Sequence, residues 1–178
     1  MQETGWKPVL ERGNVTGLIK DGASITLEPG GQFELSGRNF KTVKETFLET
    51  RNHFKELDLI CQEYDLFSLP MGVDPFSQPE DVPWMPKERY VWMKKYMPLK
   101  GKLGREMMVN TASIQVNLDY GSEKDMIMKM RVAQALQPVF TAIFANSPFA
   151  GGKPTGYLSY RAQIWNDTDP DRCGFLPF

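Results

Sequence analysis

Apolar and polar side chains alternate with period two in some stretches of the chain and recur at helical spacing in others. Residues 15–28 read as two strands joined at Asp21-Gly22, a dipeptide suited to a tight hairpin turn. Pro29-Gly30-Gly31 interrupts the alternation, and Gln32 to Leu35 resumes it. Between Phe40 and Tyr64, the residues Phe40, Val43, Phe47, Phe54, Leu57, Cys61 and Tyr64 share one helical stripe. The prolines at 70, 75, 79, 83 and 86 mark a loop. A short helix is predicted from about Glu88 to Met97, closed by Pro98. Residues 110–119 give the clearest strand. Ser122 and Asp125 then open a long helix running toward Phe144, with Pro138 as a kink. Beyond Asn146 the chain is rich in glycine, proline and aspartate, apart from a short segment around Arg161 to Trp165.

The alternation sorts chemistry as well as structure. Over 111–118, Ala112, Ile114, Val116 and Leu118 point one way, and Thr111, Ser113, Gln115 and Asn117 the other. In the earlier strands Ile25, Leu27, Phe33 and Leu35 oppose Ser24, Thr26, Glu28, Gln32 and Glu34. A half-solvated antiparallel sheet with helices beneath it accounts for such a pattern. Solvated strands, however, usually carry cations, and this polar face has none. An acceptor-rich face suits a hard ion such as magnesium. Glu28 and Glu34 lie roughly 20 Å apart on a straight strand at about 3.3 Å per residue. They serve one ion only if Pro29-Gly30-Gly31 bends the chain, and otherwise two.

Composition removes several classes of partner. The 178 residues carry a formal net charge of −1, which gives no basis for nucleic acid or an anionic membrane. No apolar run approaches the roughly 18 residues of a spanning helix, and the start of the chain is polar, without a signal-peptide core. Cys61 and Cys173 match no metal spacing. A disulfide between them is one reading, and two reduced thiols in a cytosolic protein is the other. A single histidine, His53, gives weak support for zinc or triad chemistry.

The stretch from Ile25 to Gly37 (ITLEPGGQFELSG) resembles the glutamate–cysteine ligases of plants and many proteobacteria. Further motifs agree in the same order: Met85-Pro86-Lys87 with Arg89-Tyr90, Tyr96-Met97-Pro98, Thr111 to Asp119, and Ala135-Leu136-Gln137-Pro138. After them come Phe144 to Phe149, Gly152-Lys153-Pro154, Ile164 to Asp169, Asp171-Arg172 and Leu176-Pro177-Phe178. The likeness runs from about Gly17 to the end, and its specificity lies in the ordered series.

The resemblance implies an α+β, glutamine-synthetase-like fold, an antiparallel sheet with helices packed on its apolar face and its polar face turned into the site. It implies ATP-dependent ligation of glutamate to cysteine through a γ-glutamyl phosphate, the first step of glutathione synthesis, with Mg2+ present and ATP as a substrate. On the matched motifs Glu28 and Glu34 are metal ligands, and Gln115 and Asn117 face the bound substrates. Arg161 binds a substrate carboxylate or phosphate through its planar fork. Arg89 is a further candidate for that work, and Trp165 lines the substrate pocket. A related carboxylate–amine ligase, such as one of ergothioneine biosynthesis, or a non-catalytic remnant of the fold, are the alternatives. The expected location is cytoplasmic, or plastid in a plant.

Two departures from the family accompany these matches. Ala112 stands where the plant branch carries a cysteine, so no thiol switch is expected. The chain is also shorter than family enzymes and stops within a motif at Leu176-Pro177-Phe178. It therefore reads as residues 1–178 of a single incomplete domain, a central fragment with little ligase activity alone, whose partners include the missing N- and C-terminal parts.

Overall fold

The computed structural model describes residues 5–175. Met1 to Thr4 and the motif Leu176-Pro177-Phe178 lie outside the described residues. Two compact units form, one from the chain up to Pro70 with Trp84–Glu88, the other from Met71–Pro83 with Arg89 onward.

The first unit is a four-stranded antiparallel meander, β1 (Lys7–Glu11), β2 (Asn14–Lys20), β3 (Ala23–Leu27) and β4 (Phe33–Ser36), followed by helix α1 (Val43–Glu63). Local turn chemistry sets the meander. At the β2–β3 corner Asp21 and Gly22 both take positive φ, 50° and 85°, the backbone of a two-residue primed turn. Arg12 and Gly13 repeat it between β1 and β2, at 51° and 81°. The β3–β4 corner is a three-residue loop: Gly31 N donates to Glu28 O at 2.8 Å, Glu28 N donates to Gln32 O at 2.9 Å, and Gly31 takes φ 83°. Side chains pair by face across that corner, Ile25 opposite Leu35 and Leu27 opposite Phe33, with Thr26 opposite Glu34.

Trp6, Ala23 and Ile25 form the core of the unit, with Leu18 and Leu35 packed against them. Helix α1 starts in a full capping box. Thr42 accepts from Glu45 N at 3.3 Å, and the Glu45 carboxylate accepts from Thr42 N at 3.0 Å. His53, Glu56, Leu57 and Ile60 of α1 line a small space with Trp6, Ile25 and Phe33, which places the helix on the apolar side of the sheet. His53 stacks on Phe33 with ring centres 5.8 Å apart, and burial holds the imidazole below its ordinary value. The helical stripe is only partly realised. Leu57 and Cys61 are half-buried, whereas Val43, Phe47, Phe54 and Tyr64 stay exposed.

The second unit contains α2 (Glu88–Tyr96), a 3₁₀ turn at Met97–Leu99, α3 (Gly104–Asn110), α4 (Glu123–Ile143), the short pair β5 (Phe149–Ala150) and β6 (Lys153–Pro154), and α5 (Tyr160–Asn166). Helix α3 packs on α5 and on the 3₁₀ turn, burying Met108, Val109 and Ile164. Ser122 caps α4 as its sequence predicts, accepting from Asp125 N at 3.2 Å, and the helix continues through Pro138.

The strand expected over 110–119 does not form. Asn110 is the last residue of α3, Thr111 makes an isolated antiparallel bridge with Val73, and residues 112–120 have no regular structure. The alternation there is real, but a strand exists only through hydrogen bonds to a neighbour. None of residues 113–118 makes a backbone–backbone hydrogen bond among the described residues. The polar face therefore rests on β3 and β4 alone. The architecture is α+β, with α1 on the apolar side of the antiparallel sheet.

Candidate functional site

In the first unit the three-residue corner resolves the spacing of the two glutamates. The chain reverses at Pro29-Gly30-Gly31, so Glu28 and Glu34 become diagonal neighbours on the polar face of one hairpin. Such positions are about 7–8 Å apart. Thr26 lies between them: it sits directly opposite Glu34, and its hydroxyl donates to Glu28 Oε1 at 3.3 Å. Gln32 braces the corner by accepting from Gly30 N at 2.8 Å, and Ser36 donates to Glu34 Oε1 at 3.4 Å. Glu28 is half-buried and Glu34 exposed. Among the described residues no group of three or more His, Cys, Asp or Glu side chains gathers as a metal cage. Two carboxylates on one hairpin fit the smaller demand of magnesium, which takes one or two protein carboxylates and fills its shell with water and phosphate oxygens.

In the second unit α5 carries Arg161 and Trp165 one turn apart. The guanidinium lies 5.4 Å from the centre of the Trp165 ring, a cation–π contact. Its stem runs against Gly72, where an added Cβ would sit 3.5 Å from the Arg161 Cδ. Ser147 fixes the backbone, its hydroxyl accepting from Arg161 N at 3.0 Å. Arg161 Nε is buried without a hydrogen-bond partner, and no carboxylate pairs with the side chain among the described residues. Desolvation lowers its affinity for a proton. A cation drawn out of water with no counter-charge is costly unless an anion arrives. Among the described residues, the Trp165 ring is the group that faces this charge.

The other predicted residues fall elsewhere in this unit. Gln115 and Asn117 are exposed on the unstructured 112–120 segment and bond each other, Nε2 to Oδ1, at 3.4 Å. Arg89, exposed, stacks over Tyr90 at 4.8 Å and donates to its hydroxyl at 2.8 Å. The fold thus joins Arg161 to Trp165 and Gln115 to Asn117, and no described contact links one pair to the other.

Three polar side chains of α3 are not singled out from the sequence, which assigns no element to residues 100–109 and places Asn110 in the expected strand. The Tyr160 hydroxyl donates to Glu106 Oε2 at 3.1 Å. Burial raises the Glu106 carboxyl above its usual range, while burial and then Glu106 push the Tyr160 phenol up to about 12. Arg105 pairs with Glu80 at 3.5 Å, and Asn110 donates to Ser77 O at 2.9 Å. Tyr160 directly precedes Arg161, so the Glu106 bond holds the first turn of the helix that presents the guanidinium.

Comparison with known proteins decides the family. The profile of glutamate-cysteine ligase family 2 matches residues 7–178. The chain belongs to this family. It is 50% identical over 173 residues to the chloroplastic glutamate–cysteine ligase of Medicago truncatula, covering 97% of this chain and 34% of that protein. The chloroplastic glutamate–cysteine ligase of Arabidopsis thaliana is 50% identical over 97% of the chain, with 33% of its own length covered. The chloroplastic glutamate–cysteine ligase A of Oryza sativa subsp. japonica gives 50% over 97%, with 35% of its length covered. The chain spans about a third of the length of these ligases. No helix among the described residues is long and apolar enough to cross a membrane.

Proposed function

We propose that the chain is a central part of a glutamate–cysteine ligase and carries part of its active site. The observation that carries this reading is the 50% identity sustained over 97% of the chain to proteins bearing that name. The reaction is ATP-dependent. The glutamate γ-carboxylate attacks the terminal phosphorus of ATP, the bond to ADP breaks, and γ-glutamyl phosphate forms. The cysteine amine then attacks the acyl carbon, loses a proton and displaces phosphate, giving γ-glutamylcysteine for glutathione synthesis.

Each residue has a role consistent with its surroundings. Glu28 and Glu34, held on either side of Thr26, are the metal ligands of this segment. Magnesium, when bound, neutralises the negative charge that collects as phosphate and carboxylate approach. Arg161 takes a substrate carboxylate or phosphate, with Trp165 fixing the plane of its fork. Gln115, Asn117 and Arg89 belong to the substrate-facing surface of the assembled enzyme. A plastid location accords with the chloroplastic relatives, and a cytoplasmic one remains the expectation from the sequence.

A second reading, a fragment that folds but does not turn over, draws on the open 112–120 segment. Calorimetric titration of magnesium–ATP and glutamate into the 178-residue chain separates the two. Binding that is lost in both Glu28→Ala and Arg161→Ala supports a working half-site. A cooperatively folded chain that binds neither ligand favours the second reading.

A further inference from the structure

We infer that Ser147 and Glu106 are positioning residues for Arg161, aiming its guanidinium by fixing the first turn of α5 from two sides; the inference rests on Arg161 taking a substrate anion.

Helix α5 cannot aim a side chain by itself. At seven residues it is too short to hold its shape without tertiary support. Ser159, in the N-cap position, makes no side-chain cap hydrogen bond. The stacking of Arg161 on Trp165 lies within the helix, so it travels with α5 and sets no direction relative to the rest of the unit. Ile164 is fully buried, but burial of an apolar side chain is a non-directional hold. It anchors α5 without fixing how the first turn is rotated.

Ser147 supplies the missing cap from another part of the chain. It is 1% exposed, and its hydroxyl accepts from Arg161 N at 3.0 Å. Its carbonyl accepts from Tyr160 N at 3.0 Å, so two of the donors left over at the helix start are satisfied by one residue. Ser147 N in turn donates to Leu158 O at 3.0 Å, and Ser147 bridges Ser159 in parallel sense. The Arg161 stem then passes Gly72, where a Cβ would lie 3.5 Å from both Arg161 Cδ and Ser147 Cβ. Gly72 N donates to Asn146 O at 2.9 Å, which joins these pieces into one wall.

Glu106 works from α3, accepting from the Tyr160 phenol at 3.1 Å. Consecutive helical side chains point about 100° apart. Holding Tyr160 therefore sets the rotation of α5 about its axis, and with it the direction of Arg161. Ser147 decides where the turn begins, and Glu106 decides how it is turned. A flat fork binds an anion only when it is aligned, so a small rotation is costly.

The test is a set of double-mutant cycles in a Medicago chimera that carries this whole chain in place of the 173 matching residues. Ser147→Ala and Glu106→Leu are each expected to lower kcat/KM roughly threefold to tenfold, as for the loss of one hydrogen bond. In an Arg161→Ala background neither is expected to cost anything further, because groups that act as a unit are not additive. Glu106→Gln keeps an acceptor for the phenol and is expected to stay within about twofold of the parent. A purely structural role costs the same factor with and without Arg161, and that additivity overturns the inference. So does full activity in both Ser147→Ala and Glu106→Leu beside an impaired Arg161→Ala, an outcome that leaves the Arg161 reading standing. An unimpaired Arg161→Ala removes that reading and the inference with it.

A second measurement needs no turnover. Hydrogen exchange at the buried Arg161 Nε is followed by NMR in the 178-residue chain. Ser147→Ala and Glu106→Leu are expected to speed it at least about tenfold while the Met108 and Val109 amides keep their protection. Exchange at Nε unchanged in both variants overturns the inference, as does an equal rise at Met108 and Val109, which is general loosening.

Discussion

The guanidinium of Arg161 and the indole of Trp165 are held 5.4 Å apart on one turn of α5, with no carboxylate paired to the cation among the described residues. Most half-buried arginines are neutralised by an acid. This one is steadied by an aromatic face, and we propose that its in-plane donors take the ligand. In a chimera that carries this chain in place of the 173 matching residues of the Medicago ligase, Arg161→Lys should lower kcat/KM at least about tenfold, because a point charge does not reproduce a planar fork. Trp165→Ala should have a smaller effect and act mainly on KM. Steady-state kinetics for glutamate and ATP check both.

Tyr160 and Glu106 form a titrating pair with a definite sign. The phenol is pushed up to about 12 in the folded chain from an ordinary 10.0. Its share of the stability is complete below pH 10 and is lost as pH rises through the interval from 10 to about 12. Absorbance at alkaline pH should show one tyrosine ionising two units later than the exposed ones, and Tyr160→Phe should remove that step. Glu106 behaves in the same sense at lower pH. Its carboxyl is raised by burial, so the fold loses stability as pH climbs from the ordinary glutamate range to the raised value. Glu106→Gln should flatten that slope in thermal melts.

The caps of α1 and α4 are chemically alike and should differ in consequence. Thr42→Ala breaks a capping box on a helix that packs on the sheet, so it should cost the first unit about 1 kcal/mol. Ser122→Ala removes a similar bond from a helix with no buried residue. It should reduce helicity over 123–143 and leave the main unfolding midpoint in place. Circular dichroism with urea titration distinguishes the two.

Gly17 shows where the sheet has no room. A Cβ at that position would meet the Ile25 carbonyl oxygen at 2.8 Å, inside contact distance across the β2–β3 pair. Gly17→Ala should therefore destabilise the first unit by about 1–3 kcal/mol, the range for forced overpacking. Its measured shift should exceed that of Gly13→Ala, where nothing lies nearby and only the positive φ resists substitution.

How much of this was legible depended on whether the needed partner lay within reach along the chain. Asp21-Gly22 announces its turn because both residues tolerate positive φ, and the turn then fixes the register of β2 on β3. Ser122 and Asp125 announce α4 for the same local reason. Arg12-Gly13 folds identically yet reads poorly, since arginine is an unusual occupant of that position and Pro8 obscures β1. Helix α3 is hidden by its flanking glycines, which are there for contact: a Cβ on Gly104 would crowd the Met97 side chain at 2.8 Å. Helix–helix packing of that kind leaves no trace in local periodicity. The 111–119 pattern is the converse case. It states which side chains belong together, and no local signal reports whether a neighbouring strand is present. Among the candidate ligands, Glu28 and Glu34 were readable as a pair only on condition of a bend, which the glycines supply. The uncompensated charge of Arg161 could be seen only once the fold had desolvated it.

The corner at Pro29-Gly30-Gly31 has one further consequence. Because side chains alternate strictly along β4, the loop acts as a gauge block between two carboxylates. Its length, rather than any side chain in it, decides which surface Glu34 occupies. One residue more, if absorbed as a slip of register, would carry Glu34 to the side of Ile25 and bring Phe33 to the side of Thr26. Both glutamates would still be present in such a variant, yet they would no longer share a face. The pairing of the two carboxylates is thus vulnerable to a change of count as well as to a change of residue.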